Sequence, residues 1–232
     1  MKFYESGDNR KPVIFLFPGT CCLYSSFDHV LDGLHSYFYT VAVSYDGFDP
    51  NEKTEFYSME DECEKIEQEI RTKYGGRIKA AYGCSLGGSF VSLLIQRKRI
   101  HIDHGIIGSS DMDEAGNLVA KIQASMVVPF MYKMIHTGAL PKFMQKKLNK
   151  TDGAKKELYN GFLNMFGIGK GGSPWITKQS IYNQFYSDLV TKVQHGIDVP
   201  GTTIHVFYAT KMGKKIRKEI LYLFQKSGYP KT

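Results

Sequence analysis

The chain is short of the features that mark spanning, secreted or cross-linked proteins. It has four cysteines in 232 residues, too few for a disulfide scaffold at this length, and Cys21, Cys22, Cys63 and Cys84 include no C-x-x-C pair. Adjacent Cys21 and Cys22 would close a strained ring, so all four are read as reduced thiols. The longest apolar runs, VIFLF at 13–17 and SMVVPFM at 125–131, fall far below the roughly 20 residues of a membrane span. The opening MKFYESGDNRK has no apolar core of a secretory signal. These absences predict a soluble cytoplasmic protein with no membrane span. No metal-ligand constellation and no dinucleotide fingerprint is present, which predicts no cofactor and no metal.

Net charge is also missing from most of the chain. Of the formal +7, the segment from Lys211 onward carries +6, seven basic residues facing the single acid Glu219. A basic terminal helix without an aromatic stacking platform or a nucleic-acid motif is a solvated face, so nucleic acid is excluded as a partner.

Strand and helix patterns alternate along the remainder. KPVIFLF (11–17) is a continuous apolar run stopped by Pro18 and Gly19, the pattern of a strand buried on both faces. Phe27, Val30, Leu31, Leu34 and Phe38 recur at helical spacing with Ser26 as the expected cap, and TVAVSY (40–45) is the next strand. Ser58 and Asp61 have capping-box spacing ahead of Met59, Cys63, Ile66 and Ile70, and Gly75-Gly76 ends that helix. RIKAAY (77–82), SFVSLLIQ (89–96) and IDHGIIGSS (102–110) continue the rhythm as strand, helix and strand. The pattern is α/β, a doubly wound and mostly parallel sheet.

Residues 114–190 break it. They are rich in methionine and aromatic residues, are interrupted by Pro129, Pro141 and Pro174, and hold the glycine cluster GIGKGG at 167–172. Helical spacing recurs in Phe130, Met131, Met134 and Ile135 and again in Ile181, Phe185 and Leu189. This predicts a core of residues 1–113 and 191–232 with a helical lid, 114–190, inserted over one edge of the sheet. TTIHVFYAT (202–210) then resumes as a strand and KKIRKEILYLFQ (214–225) as its helix.

The chemistry-bearing stretch is Gly83-Cys84-Ser85-Leu86-Gly87, a match to G-x-S-x-G between a strand and a helix. A sharp strand-to-helix turn strains the serine backbone, and glycines two before and two after let neighbouring chains approach. The turn aims the hydroxyl outward, and the helix N-terminus offers N–H donors to an oxyanion.

With that turn in place, the chain resembles the α/β-hydrolase superfamily, most closely its small bacterial serine hydrolases, from about residue 11 to about residue 225. PGTCC (18–22) stands where those proteins have a His-Gly oxyanion loop, with Pro18 in place of the histidine, and YDGFD (45–49) resembles their loop after the next strand. The resemblance implies Ser85 as nucleophile, with oxyanion donors at Leu86 and at Thr20 or Cys21. It implies Asp111, ahead of Asp113, as the acid, because Lys211, Met212 and Gly213 occupy the more common acid position. None of the seven histidines stands at the usual position, and the chain ends before the strand that would precede it. The expected activity is hydrolysis of a small acyl ester, with five methionines, Met126, Met131, Met134, Met144 and Met165, available to an acyl pocket. The alternative is a non-catalytic ligand-binding or interaction module on the same scaffold. An exposed edge at TTIHVFYAT would offer a route to oligomers.

Overall fold

The computed structural model describes residues 1–110, 114–169, 171–193 and 198–207. Its described strands are β1 (Lys2–Ser6), β2 (Val13–Phe17), β3 (Tyr39–Ser44), β4 (Arg77–Cys84), β5 (His101–Gly108) and β6 (Thr203–Phe207). They form one sheet in the order β1-β3-β2-β4-β5-β6. Every neighbouring pair is parallel except β1 with β3. The described helices are α1 (Asp28–His35), α2 (Met59–Tyr74), α3 (Leu86–Arg97), α4 (Asn117–Thr137), α5 (Lys142–Asn149), α6 (Gly153–Met165) and α7 (Lys178–Val190).

Alternation along each strand divides the core into two layers. Phe15, Phe17, Val41, Val43, Ala81 and Ile107 point to the face covered by Ile66 and Ile70 of α2 and by Phe90, Val91 and Leu94 of α3. Ile14, Leu16, Ala42 and Ala80 point to the other face, under Phe27 and Leu31 and Leu34 of α1. Helices on both faces of a mostly parallel sheet are the doubly wound arrangement that the sequence pattern predicts. The central α3 is buried from Leu86 to Ile95. It is tied to α2 by Arg97, which donates through Nε to the fully buried Glu67 at 2.6 Å.

Helix ends follow the sequence in α2 and depart from it in α1. Ser58 caps α2, its Oγ accepting from the Asp61 N–H at 3.1 Å, and Gly75 closes the helix at φ 63°. Ser26 does not cap α1. A 3-10 turn, Tyr24–Phe27, feeds directly into that helix, the residue before it is Phe27 in helical conformation, and the Ser26 Oγ is buried without a partner. A side-chain cap needs extended backbone at the cap residue, and the preceding turn removes it.

Two elements escape the sequence pattern. The edge strand β1 has no apolar run of its own and exists through its antiparallel ladder to β3, Lys2 opposite Ser44 and Ser6 opposite Thr40. Pro129 does not interrupt α4, which runs through it for 21 residues. The carbonyl that loses its donor belongs to the exposed Ser125, where water can replace the missing N–H. With a mean hydropathy of 1.2 and 28% of its apolar stretch buried, α4 is the one described helix long and apolar enough to cross a membrane. Lys121, Gln123 and Lys133 divide its apolar residues into short runs, which is why run length did not reveal it. Predictions for 208–232, including the 214–225 helix, lie outside the described residues.

Candidate active site

Ser85 lies at the junction of β4 and α3 with φ 54° and ψ −124°, a backbone conformation that costs a non-glycine residue on the order of 1–3 kcal/mol. It is held there from both sides. Its N–H donates to the Gly108 carbonyl of β5 at 2.9 Å, and its carbonyl accepts from the Gly88 N–H at 2.8 Å. Cys84 before it is half-buried and Leu86 after it fully buried, yet Ser85 itself is exposed.

The flanking glycines are required by close approach rather than by dihedral angle. A Cβ on Gly83 would sit 1.9 Å from the Gly87 carbonyl oxygen, and one on Gly87 would sit 2.1 Å from the Phe17 carbonyl oxygen at the end of β2. Both collisions are with backbone, so no side-chain rotation relieves them. As the first residue of α3, Leu86 also has an N–H with no intrahelical acceptor.

The loop 18–22 abuts this turn. A Cβ placed on Gly19 would lie 3.6 Å from the Ser85 Cβ and 3.2 Å from the Cys84 carbonyl oxygen. The loop is closed by the Cys22 N–H on the Gly19 carbonyl at 3.0 Å, with Cys21 at φ 60°. The structure separates Thr20 from Cys21: the Cys21 N–H already donates to Gln184 Oε1 at 2.6 Å in a buried setting, whereas Thr20 is half-exposed and its N–H has no acceptor among the described residues. Of the two alternatives the sequence left open, Thr20 or Cys21, the Cys21 N–H is thus already engaged within the protein. Burial pushes the Cys22 thiol up to about 12 and raises that of Cys21. All four cysteines are free.

Gln184 was not found from the sequence. It is fully buried on α7 and reaches across to strained Cys21. The same helix supplies Ser180 Oγ to the Phe56 N–H, Asn183 Nδ2 to the Phe56 carbonyl and Ser187 Oγ to the Met59 N–H. Ser180, Gln184 and Ser187 are spaced i, i+4, i+7 on one face. That polar stripe on a core-facing helix was the available signal, since a buried polar group needs a partner.

The loop 45–49 supports the first from behind. Tyr45, fully buried, donates its hydroxyl to the Pro18 carbonyl at 3.2 Å. Its neighbour Asp46 donates its N–H to Glu62 Oε2 at 3.0 Å, and Lys65 binds both carboxylates. Burial, with the Asp46 charge adding to it, pushes the Glu62 carboxyl up to about 7.

Asp111 and Asp113 lie outside the described residues, as does His195. The nearest described neighbour, Ser110, is buried with its Oγ 3.3 Å from the Ser89 Oγ. Among the described histidines, His35 bonds Ser6 and Thr40, His101 faces Asp103, and His104 Nδ1 lies 3.2 Å from His205 Nε2. His136 packs on Tyr132 with its Nδ1 buried and unpartnered. Of the five methionines, Met144 lines an apolar cavity of about 400 Å³ between α4, α5 and α6, while Met126 faces outward, 73% exposed. Among the described residues, no cluster of histidine, cysteine and acid could hold a metal ion.

A sheet of this order with a strained serine at the central strand's end defines the α/β-hydrolase fold, and comparison with solved structures agrees. An alpha/beta hydrolase family protein from Desulfitobacterium hafniense superposes at TM-score 0.62 and 15% identity, over 97% of this chain and 99% of that one. A carboxylesterase from Nitrososphaera gargenis superposes at TM-score 0.67 and 13% identity, over 98% and 82%. The structure of 1H-3-hydroxy-4-oxoquinoline 2,4-dioxygenase superposes at TM-score 0.60 and 13% identity, over 96% and 82%. No family model matches the chain, and no curated protein matches it in sequence. The chain has the α/β-hydrolase scaffold. That scaffold also carries a dioxygenase, so the reaction has to be argued from the site.

Proposed function

We propose that the protein is a serine hydrolase acting on a small acyl ester. The observation that carries the reading is an exposed Ser85 at φ 54°, on a turn whose two glycines admit no Cβ. A strained residue held from both sides at a helix N-terminus is a device of function, because packing alone would not select it. In this reading the Ser85 Oγ attacks the ester carbonyl and gives its proton to a base. The carbonyl oxygen becomes an oxyanion between the Leu86 and Thr20 N–H groups. Collapse expels the alcohol and leaves an acyl-serine, which water then hydrolyses. The helical segment 114–190 serves as the lid, Asp111 orients the base, and the four free thiols support a reducing, cytoplasmic setting.

One observation favours a second reading, a binding module with little turnover. Among the described residues no histidine is bonded to Ser85, and four of them are engaged with other partners. Fluorophosphonate labelling separates the two. Prompt labelling that disappears in Ser85→Ala supports the hydrolase; absence of labelling under conditions that label an active serine esterase rejects it.

A further inference from the structure

The outer face of α4 is unlike a solvated surface. Leu118, Ile122, Met126 and Phe130 follow one another at four-residue spacing and are all exposed, Leu118 by 72% and Met126 by 73%. Phe143 on α5, 67% exposed, extends the patch, and the apolar cavity beneath it is lined by Phe130, Phe143, Met144, Leu148 and Leu163. The inward face of α4 is served by the small residues Ala120 and Ala124 with Val128. Helices that are apolar on every side are normally enclosed. From Leu118 to Phe130 this one leaves its larger side chains outside, and only its last turns bury large ones, Met134 and Ile135.

The charges around the patch are predominantly positive. Residues 117–165 carry eight lysines against two acids, Asp152 and Glu157. Lys142 and Lys146 lie one turn apart on α5 around Phe143, Lys133 follows Phe130 on α4, and Lys150 and Lys156 lie beyond, all of them exposed. A second copy seated on this face would bring two such sets together, and like charges across an interface repel. An anionic lipid surface instead meets both features, its headgroups the lysines and its acyl layer the apolar ridge.

We propose that α4 and α5 form a docking face for an anionic lipid surface, with Met126, Phe130 and Phe143 entering the acyl boundary and Lys142 and Lys146 on the headgroups. The docking requires no reaction at Ser85, and the Ser85→Ala protein is expected to behave identically.

The test is cosedimentation of the full chain with vesicles of phosphatidylcholine alone or mixed with phosphatidylglycerol. Binding to the mixed vesicles that weakens with added salt is expected. At about 1 kcal/mol per lysine near the surface, Lys142→Glu with Lys146→Glu should weaken it at least ~30-fold. Met126→Ser with Phe143→Ser, leaving the charges intact, should weaken it more than ~10-fold. Equal binding to both vesicle types would overturn the role of the lysines, and binding to neither would overturn the proposal. A concentration-dependent dimer in sedimentation velocity, broken by Met126→Glu and accompanied by no vesicle binding, would assign the face to a second copy instead.

Discussion

Replacing Gly87 by alanine tests the geometry on which the site depends, because two opposing effects can be weighed. Gly87 is in the first turn of α3 with no positive φ, so alanine gains about 0.8–1 kcal/mol of helix propensity. Against this, the new Cβ would lie 2.1 Å from the Phe17 carbonyl oxygen and 2.9 Å from its carbon, more than an ångström inside normal contact. Neither partner is a movable side chain, so the N-terminus of α3 must withdraw from the end of β2. Overpacking of this kind costs about 1–3 kcal/mol or more, and a backbone collision belongs at the upper end. The net loss is about 2 kcal/mol, which at ~2–4 °C per kcal/mol for a chain of this size lowers Tm by ~4–8 °C. Gly83→Ala, with its Cβ 1.9 Å from the Gly87 oxygen and no helix propensity to regain, should lower it further. Gly33→Ala is the control: an exposed position on α1 with nothing within 4 Å, where the same substitution should raise Tm slightly. Differential scanning fluorimetry or calorimetry reads all three. A Gly87→Ala protein that melts at or above the parent would refute the close approach of α3 to β2, and with it the cramped turn that presents Ser85.

Gln184→Met removes the acceptor of the Cys21 N–H while also removing Gln184 Nε2, which is buried without a partner. One buried orphan replaces another, so Tm should change little, whereas kcat/KM on short p-nitrophenyl esters should fall roughly 10-fold or more as the loop proposed to hold the oxyanion loosens; equal kcat/KM would deny the loop that role. Glu62 has a folded pKa raised from 4.5 to about 7, so its contribution to stability is fully present below pH 4.5 and is lost as pH rises through 7. Glu62→Gln escapes that loss, and its Tm relative to the parent should rise between pH 5 and 8 by the equivalent of roughly 3 kcal/mol at most; a constant difference across that window would contradict the assignment. Arg97→Leu strands the fully buried Glu67, with Arg99 at 3.5 Å as its remaining partner. The expected cost is about 3 kcal/mol in urea unfolding, and a loss under 1 kcal/mol would show that the pair is not desolvated.

The alternating core was legible because local rules and tertiary outcome coincide there. VIFLF must be buried on both faces wherever it lies, and a helix between two such strands has to cross over to keep them parallel. The turn at Ser85 was legible for a similar reason: two glycines at fixed spacing record the approach of backbone to backbone, a constraint that leaves its mark on the residues themselves. Lys2–Ser6 left no such mark. Its side chains are polar, aromatic and charged, and its backbone becomes a strand only because β3 offers an unpaired edge.

The loop 18–22 shows where the two sources of information divide. From PGTCC alone, Thr20 and Cys21 are equivalent donors; only the arrival of α7 from more than 160 residues away spends the Cys21 N–H on Gln184. The outward ridge of α4 was hidden in the same way, since run length cannot tell which side of a helix meets its neighbours. By itself the sequence determined the strand and helix alternation, the cap of α2 and the glycine-flanked serine, all of which rest on spacing within a few residues. Tertiary structure alone decided the edge strand, the engagement of the Cys21 amide by Gln184 and the uncovered apolar face, because hydrogen-bond partners and burial are relations between segments that the chain brings together only on folding.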